Sequence, residues 1–137
     1  MAVVVAVAAC GGTTGGRAAD VSRVKAVVHR ALADLAAGDG PGFCGLATSA
    51  GQAALGTTLP GYTCAELVVR VSRQLTPAER TGLAHAHARR VTITEGRATV
   101  RDVDIVAGRG TLAGFLSADS APTTLSRQSD GSWKIAG

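Results

Sequence analysis

Aromatic residues are scarce in this 137-residue chain: Phe43, Tyr62, Phe115 and Trp133 are all it has. Proteins that bind single-stranded nucleic acid stack bases on aromatic rings, and four rings leave few such platforms, so nucleic acid is not an expected partner. Lysine is also scarce. Only two of the 14 basic residues are Lys, the rest being Arg, and only Arg89 and Arg90 are adjacent. The formal charge of +4 therefore reads as a solvated surface, with attraction to an anionic membrane or wall polymer as the functional alternative. No apolar run approaches the roughly 20 residues that span a bilayer. There is no C-x-x-C pair of thiolates, and "GDGPGFCG" and "AGRGT" lack the order of a phosphate loop and read as turns. No metal and no cofactor are expected.

What is present fits one domain with a core of Ala, Val and Leu. Hydrophobic residues make up 46% of the chain and charged ones 18%, which is a globular composition rather than a disordered one. The amino terminus stands apart. Residues 2–9, "AVVVAVAA", are too short for a transmembrane helix but match the apolar core of a signal peptide and end on small residues. Val7-Ala8-Ala9-Cys10 then resembles a bacterial lipobox. That resemblance implies a diacylglyceryl group on the Cys10 thiol, cleavage just before it and acylation of the new amino terminus, with palmitate as the expected fatty acid. Two or three acyl chains anchor stably where one does not, at about 0.8 kcal/mol per buried CH₂. No Lys or Arg precedes the apolar run, so residues 1–9 read as a truncated signal. Residues 10–19, "CGGTTGGRAA", read as the lipidated cysteine and a flexible linker, and 20–137 as a single domain on the outer face of a cell membrane.

With Cys10 lipidated, Cys44 and Cys64 are left as an even pair outside the cytoplasm. A disulfide is the expectation, with free structural thiols as the alternative.

From Asp20, apolar residues at Val21, Val24, Val27, Val28, Ala31, Leu32 and Leu35 recur at helical spacing. Asp20 reads as the N-cap of a helix of about 18 residues that stops at Gly38 or Gly40. Thr63 with Glu66, and Thr76 with Pro77 and Glu79, mark the starts of two further helices. After residue 88 the period becomes two: Val91 and Ile93 point one way, Thr92 and Thr94 the other. Glu95-Gly96 and Asp130-Gly131 read as hairpin turns, and Trp133 and Ile135 fall on a last strand. Residues 104–121 read as a loop anchored by Phe115 and Leu116, with a short strand within it as the alternative. Helices followed by antiparallel strands make an α+β domain.

This order, with "AAGDG" closing the first helix, a central cysteine pair and a final "SDGSWKIAG", resembles the nuclear transport factor 2-like superfamily. Within it the chain is similar to small secreted lipoproteins of actinobacteria. The resemblance implies helices packed on a curved antiparallel sheet as a cone, with a pocket between the first helix and the sheet. Trp133 reads as core beneath the sheet, with pocket lining as the alternative, and Phe115 and Tyr62 are the other candidate lining residues. Some members of that superfamily are isomerases and cyclases that use a carboxylate base. Asp102 and Asp104 sit at alternate positions of an expected strand, where solvated or Arg-matched carboxylates are the ordinary reading. His85 and His87 have no third ligand nearby and read as exposed histidines, as does His29 off the apolar stripe of its helix. The expectation is a membrane-anchored lipoprotein whose domain binds an apolar small molecule or an envelope protein without catalysis. The alternative is an envelope enzyme of the isomerase or cyclase type with a carboxylate or His in the cone.

Overall fold

Helical spacing of Val24, Val28, Ala31, Leu32 and Ala36 puts five side chains, none more than 9% exposed, on one face of the first helix. That helix, α1 (Thr13–Ala37), organises the molecule. The computed structural model describes residues 13–58, 60–112 and 122–137; Cys10 and Phe115 lie outside the described residues. Four shorter helices follow: α2 (Gly40–Gly45), α3 (Ser49–Thr58), α4 (Cys64–Gln74) and α5 (Pro77–Ala84). The strands come after them: β1 (His87–Ala88), β2 (Thr92–Thr94), β3 (Arg97–Val100), β4 (Ile105–Ala107), β5 (Gly110–Thr111), β6 (Thr123–Arg127) and β7 (Trp133–Ile135).

Two antiparallel sheets form, one ordered β2-β3-β6-β7 and the other β1-β4-β5. The molecule is thus α+β, with helices packed on antiparallel sheet. Strand alternation sends Ala98, Val100, Leu125 and Trp133 of the larger sheet inward, where they meet Ile105 and Ala107 of the smaller one and Val24 and Val28 of α1. With so few rings available, this core is closed mainly by small aliphatic side chains.

Both capping boxes form. Thr63 and Thr76 each accept the N–H of the glutamate three residues on, and Glu66 and Glu79 accept the Thr N–H in return at 2.7 Å. Asp39 caps α2 by accepting the Gly42 N–H at 2.9 Å. A disulfide joins Cys44 of α2 to Cys64 at the start of α4, with Cα atoms 6.1 Å apart. The carboxyl ends of α1 and α4 converge on Arg80, whose guanidinium donates to Ala36 O at 3.2 Å and Ser72 O at 2.9 Å. Glu95 (φ 48°) and Gly96 (φ 74°) make the tight turn between β2 and β3, both in the left-handed region that a two-residue hairpin requires.

Three local expectations need correction. The helix does not begin at Asp20, because residues 13–19, read as linker, are already helical. Asp20 is interior to α1, and its side chain, only 7% exposed, accepts the Trp133 Nε1–H at 3.2 Å and pairs with the Arg127 guanidinium. Asp102 and Asp104 do not alternate on a strand; they form a 3₁₀ turn and both are buried, Asp104 holding Arg101 at 3.0 Å. Residues 105–111, read as loop, form the β4–β5 hairpin around Gly108 at φ 61°.

Candidate functional site

Where α1 and α3 diverge over the inner sheet face, the small side chains leave a cavity of about 340 Å³. One wall is the apolar stripe of α1, from Val28 through Ala31 and Leu32 to Leu35. Phe43 of α2 closes one end, and Ala54 and Leu55 of α3 form the opposite wall. The sheets supply Ile105, Leu112, Thr123 and Ile135. Among these described lining residues Thr123 carries the only polar side chain, and none carries a charge.

The α3 wall is set by a close backbone approach. Thr48 N–H donates to Ile135 O at 2.8 Å, and the Gly51 N–H is capped by Thr48 Oγ1 at 3.0 Å. Gly51 lies directly over the Ile135 carbonyl, where a Cβ would collide with the oxygen, so glycine is required there. Gln52 Nε2 donates to Cys44 O at 2.8 Å and ties α3 to the disulfide-bonded α2. The cavity is therefore framed by backbone bonds and a covalent link, while its surface stays hydrocarbon.

Residues expected from the sequence fall elsewhere. Tyr62 is 41% exposed and lines a shallow groove on α4, where Arg70 lies 5.2 Å from its ring centroid and donates to its hydroxyl at 3.1 Å. Trp133 is buried in the core, with only its edge reaching a groove shared by Arg23, Asp130 and Lys134. Neither ring borders the apolar cavity. Asp102 and Asp104 are not among its lining residues. His85 caps α5, His87 begins β1, and both are exposed. His29 is exposed too and bonds through Nδ1 to Ala86 O at 2.7 Å, which makes Nδ1 the donor.

Among the described residues no three His, Cys, Asp or Glu are grouped closely enough to hold a metal ion. The shifted titrating groups are structural. Backbone and hydroxyl hydrogen bonds from Thr63 lower the Glu66 pKa, and those of Ser132 lower that of Asp130 in the turn before β7. Asp34 Oδ2, buried beside Arg30 Nε at 3.7 Å, has no hydrogen-bond partner among the described residues. A pocket between the first helix and the sheet was expected from the resemblance, but its lining was not legible, since these residues look like ordinary core positions and come from seven separate segments. No described helix is long and apolar enough to cross a membrane. Comparison of the chain with protein-family models, with curated proteins and with solved structures returned no match.

Proposed function

We propose that the protein is a membrane-anchored envelope lipoprotein whose domain binds an uncharged apolar small molecule in the cavity between α1, α3 and the sheet. The cavity lining carries the reading: it is hydrocarbon apart from the Thr123 hydroxyl. A site of this kind holds a ligand by removing apolar surface from water, at about 25 cal/mol per Å². A cavity of about 150 Å³ takes benzene, so 340 Å³ suits roughly a dozen carbon atoms. The lack of a cationic side chain among the described lining residues favours a neutral ligand over a fatty-acid carboxylate, which would lose hydration there without gaining a partner. An isomerase or cyclase needs a carboxylate or His facing the bound substrate, and no described lining side chain is either. The nuclear transport factor 2-like cone and the kinship to actinobacterial lipoproteins belong to this proposal. They rest on the order of elements, the cysteine pair and the closing "DGSWKI". Anchoring rests on Val7-Ala8-Ala9-Cys10, with the Cys44–Cys64 disulfide fitting a secreted protein.

A series of linear primary alcohols tests the binding. Affinity is expected to rise about fourfold per added methylene and to level off when the cavity is full, near a dozen carbons. The cavity-filling variant Ala31→Phe should bind none of them. Affinity independent of chain length, or unchanged in that variant, would sink the proposal. The anchor is tested apart, by the intact mass of cell-derived protein: an unmodified Cys10 behind a retained Met1 would remove it.

A further inference from the structure

The larger sheet has a second face, turned away from α1, and no described element packs on it. Strand alternation puts Thr92, Thr94, Arg97, Thr99, Thr124, Ser126 and Lys134 there. The registers arrange them in two rows: Thr92, Thr99 and Thr124 in one; Thr94, Arg97, Ser126 and Lys134 in the other. With neighbouring strands about 4.8 Å apart, Arg97 and Lys134 stand two strands from each other with a hydroxyl between them. Its strand positions carry cations and hydroxyls and no carboxylate. The acids lie in the flanking turns: Glu95 between Thr94 and Arg97, and Asp130 before β7, where it accepts the Ser132 N–H at 2.9 Å and hydroxyl at 2.6 Å and interacts with the charge of Lys134.

We infer that this outer sheet face is a docking surface for anionic lipid headgroups. Cations meet phosphate charge there, and the hydroxyls of Thr92, Thr94, Thr99 and Ser126 donate to phosphate oxygens, that of Thr124 being given to Gly137 O at 3.2 Å. The inference rests on the anchored reading, and the geometry of the amino terminus is what joins the two. Cys10 and Thr13 are three chain steps apart, a reach of about 10 Å, and the helix from Thr13 to Asp20 adds about 10 Å. Asp20 then touches Arg127 and Trp133, at the end of the same sheet. An acyl chain on Cys10 would hold this face within about 20 Å of the bilayer, so contacts too weak to recruit a free protein act at millimolar effective concentration. Arg17, exposed on α1 between the anchor and Asp20, adds to the same field.

The chain's two lysines supply the test. Lys134 lies on the outer face, and Lys25 lies on α1, on the other side of the sheet, as an internal reference. Unlipidated full-length chain, with Cys44 and Cys64 in their disulfide, is coupled through Cys10 to a maleimide-headgroup lipid in vesicles. The vesicles are either pure phosphatidylcholine or one-third phosphatidylglycerol. Amine acetylation at each lysine is then read by peptide mass spectrometry. On the anionic vesicles Lys134 should react several-fold more slowly relative to Lys25 than on the neutral ones, with molar salt abolishing the difference. The exposed Arg97→Gln change should remove about fivefold of the docking equilibrium. Equal Lys134 rates on the two vesicles, or protection that survives molar salt, would overturn the inference. Because the anchor is attached chemically, either outcome speaks of the sheet face alone, and natural acylation of Cys10 stays with the mass measurement.

Discussion

Asp20 looks in the sequence like the residue that starts a helix, and in the fold it does something else. A short acceptor followed by an apolar helical stripe is the local mark of an N-cap. The same carboxylate also suits a buried partner for an indole and a guanidinium, and Trp133 lies 113 positions away in sequence, beyond any local pattern. Arg127 completes the group, pairing with Asp20 while lying 5.4 Å from the Trp133 ring centroid. Asp20→Ala should therefore cost about 2 kcal/mol, since it leaves the indole N–H unpaired but an arginine that is partly solvated. Urea unfolding followed by Trp133 fluorescence would measure it. A loss no larger than that of an exposed helix substitution would mean that the buried cluster contributes little.

Among the elements, those set by neighbours within four residues were legible and those set by distant ones were not. Thr63 with Glu66 and Thr76 with Glu79 could be read directly, because a capping box closes on itself. Glu95-Gly96 and Asp130-Gly131 were legible as turns for the same reason. Asp102 and Asp104 are the exception: the turn is closed locally, by Asp104 N–H bonding to Arg101 O at 2.9 Å, yet "DVDIV" alternates like a strand and hides it. Replacing Thr63 by Ala should cost about 1 kcal/mol. The Glu66 half of that box titrates. Its folded pKa is depressed by the Thr63 backbone bond, so its contribution is present above the unfolded value of about 4.3 and fades as pH falls through the lower folded value. The stability gap between the protein and Glu66→Gln should accordingly be open at neutral pH and narrow as pH falls below the unfolded value, as denaturation midpoints across that range would record. A gap that is constant with pH would show that the carboxylate is not held in the box.

At the scale of the molecule, the disulfide is the main covalent restraint on a core poor in large side chains. Closing a 20-residue loop between Cys44 and Cys64 should contribute about 3 kcal/mol. A reduced and alkylated sample should unfold at correspondingly lower urea, and an unchanged midpoint would assign the stability to packing alone. The α+β order was legible because the hydrophobic period switches from helical to alternating near residue 88. The lining of the cavity was not, because a void is a property of how seven segments fit and no single one records it. The chain between α2 and α3 also closes one side of the larger sheet. Ile135 N–H donates to Leu46 O and Ile135 O accepts from Thr48 N–H, both at 2.8 Å, so β7 has a neighbour on each flank. Among the described strands this leaves β2 as the open edge of that sheet, and β2 is three residues long, with Arg89 and Arg90 just before it and a tight turn just after. A strand so short and so charged at its approach is a poor template for another chain. Two copies brought together at high concentration would thus find no ready seam along the larger sheet.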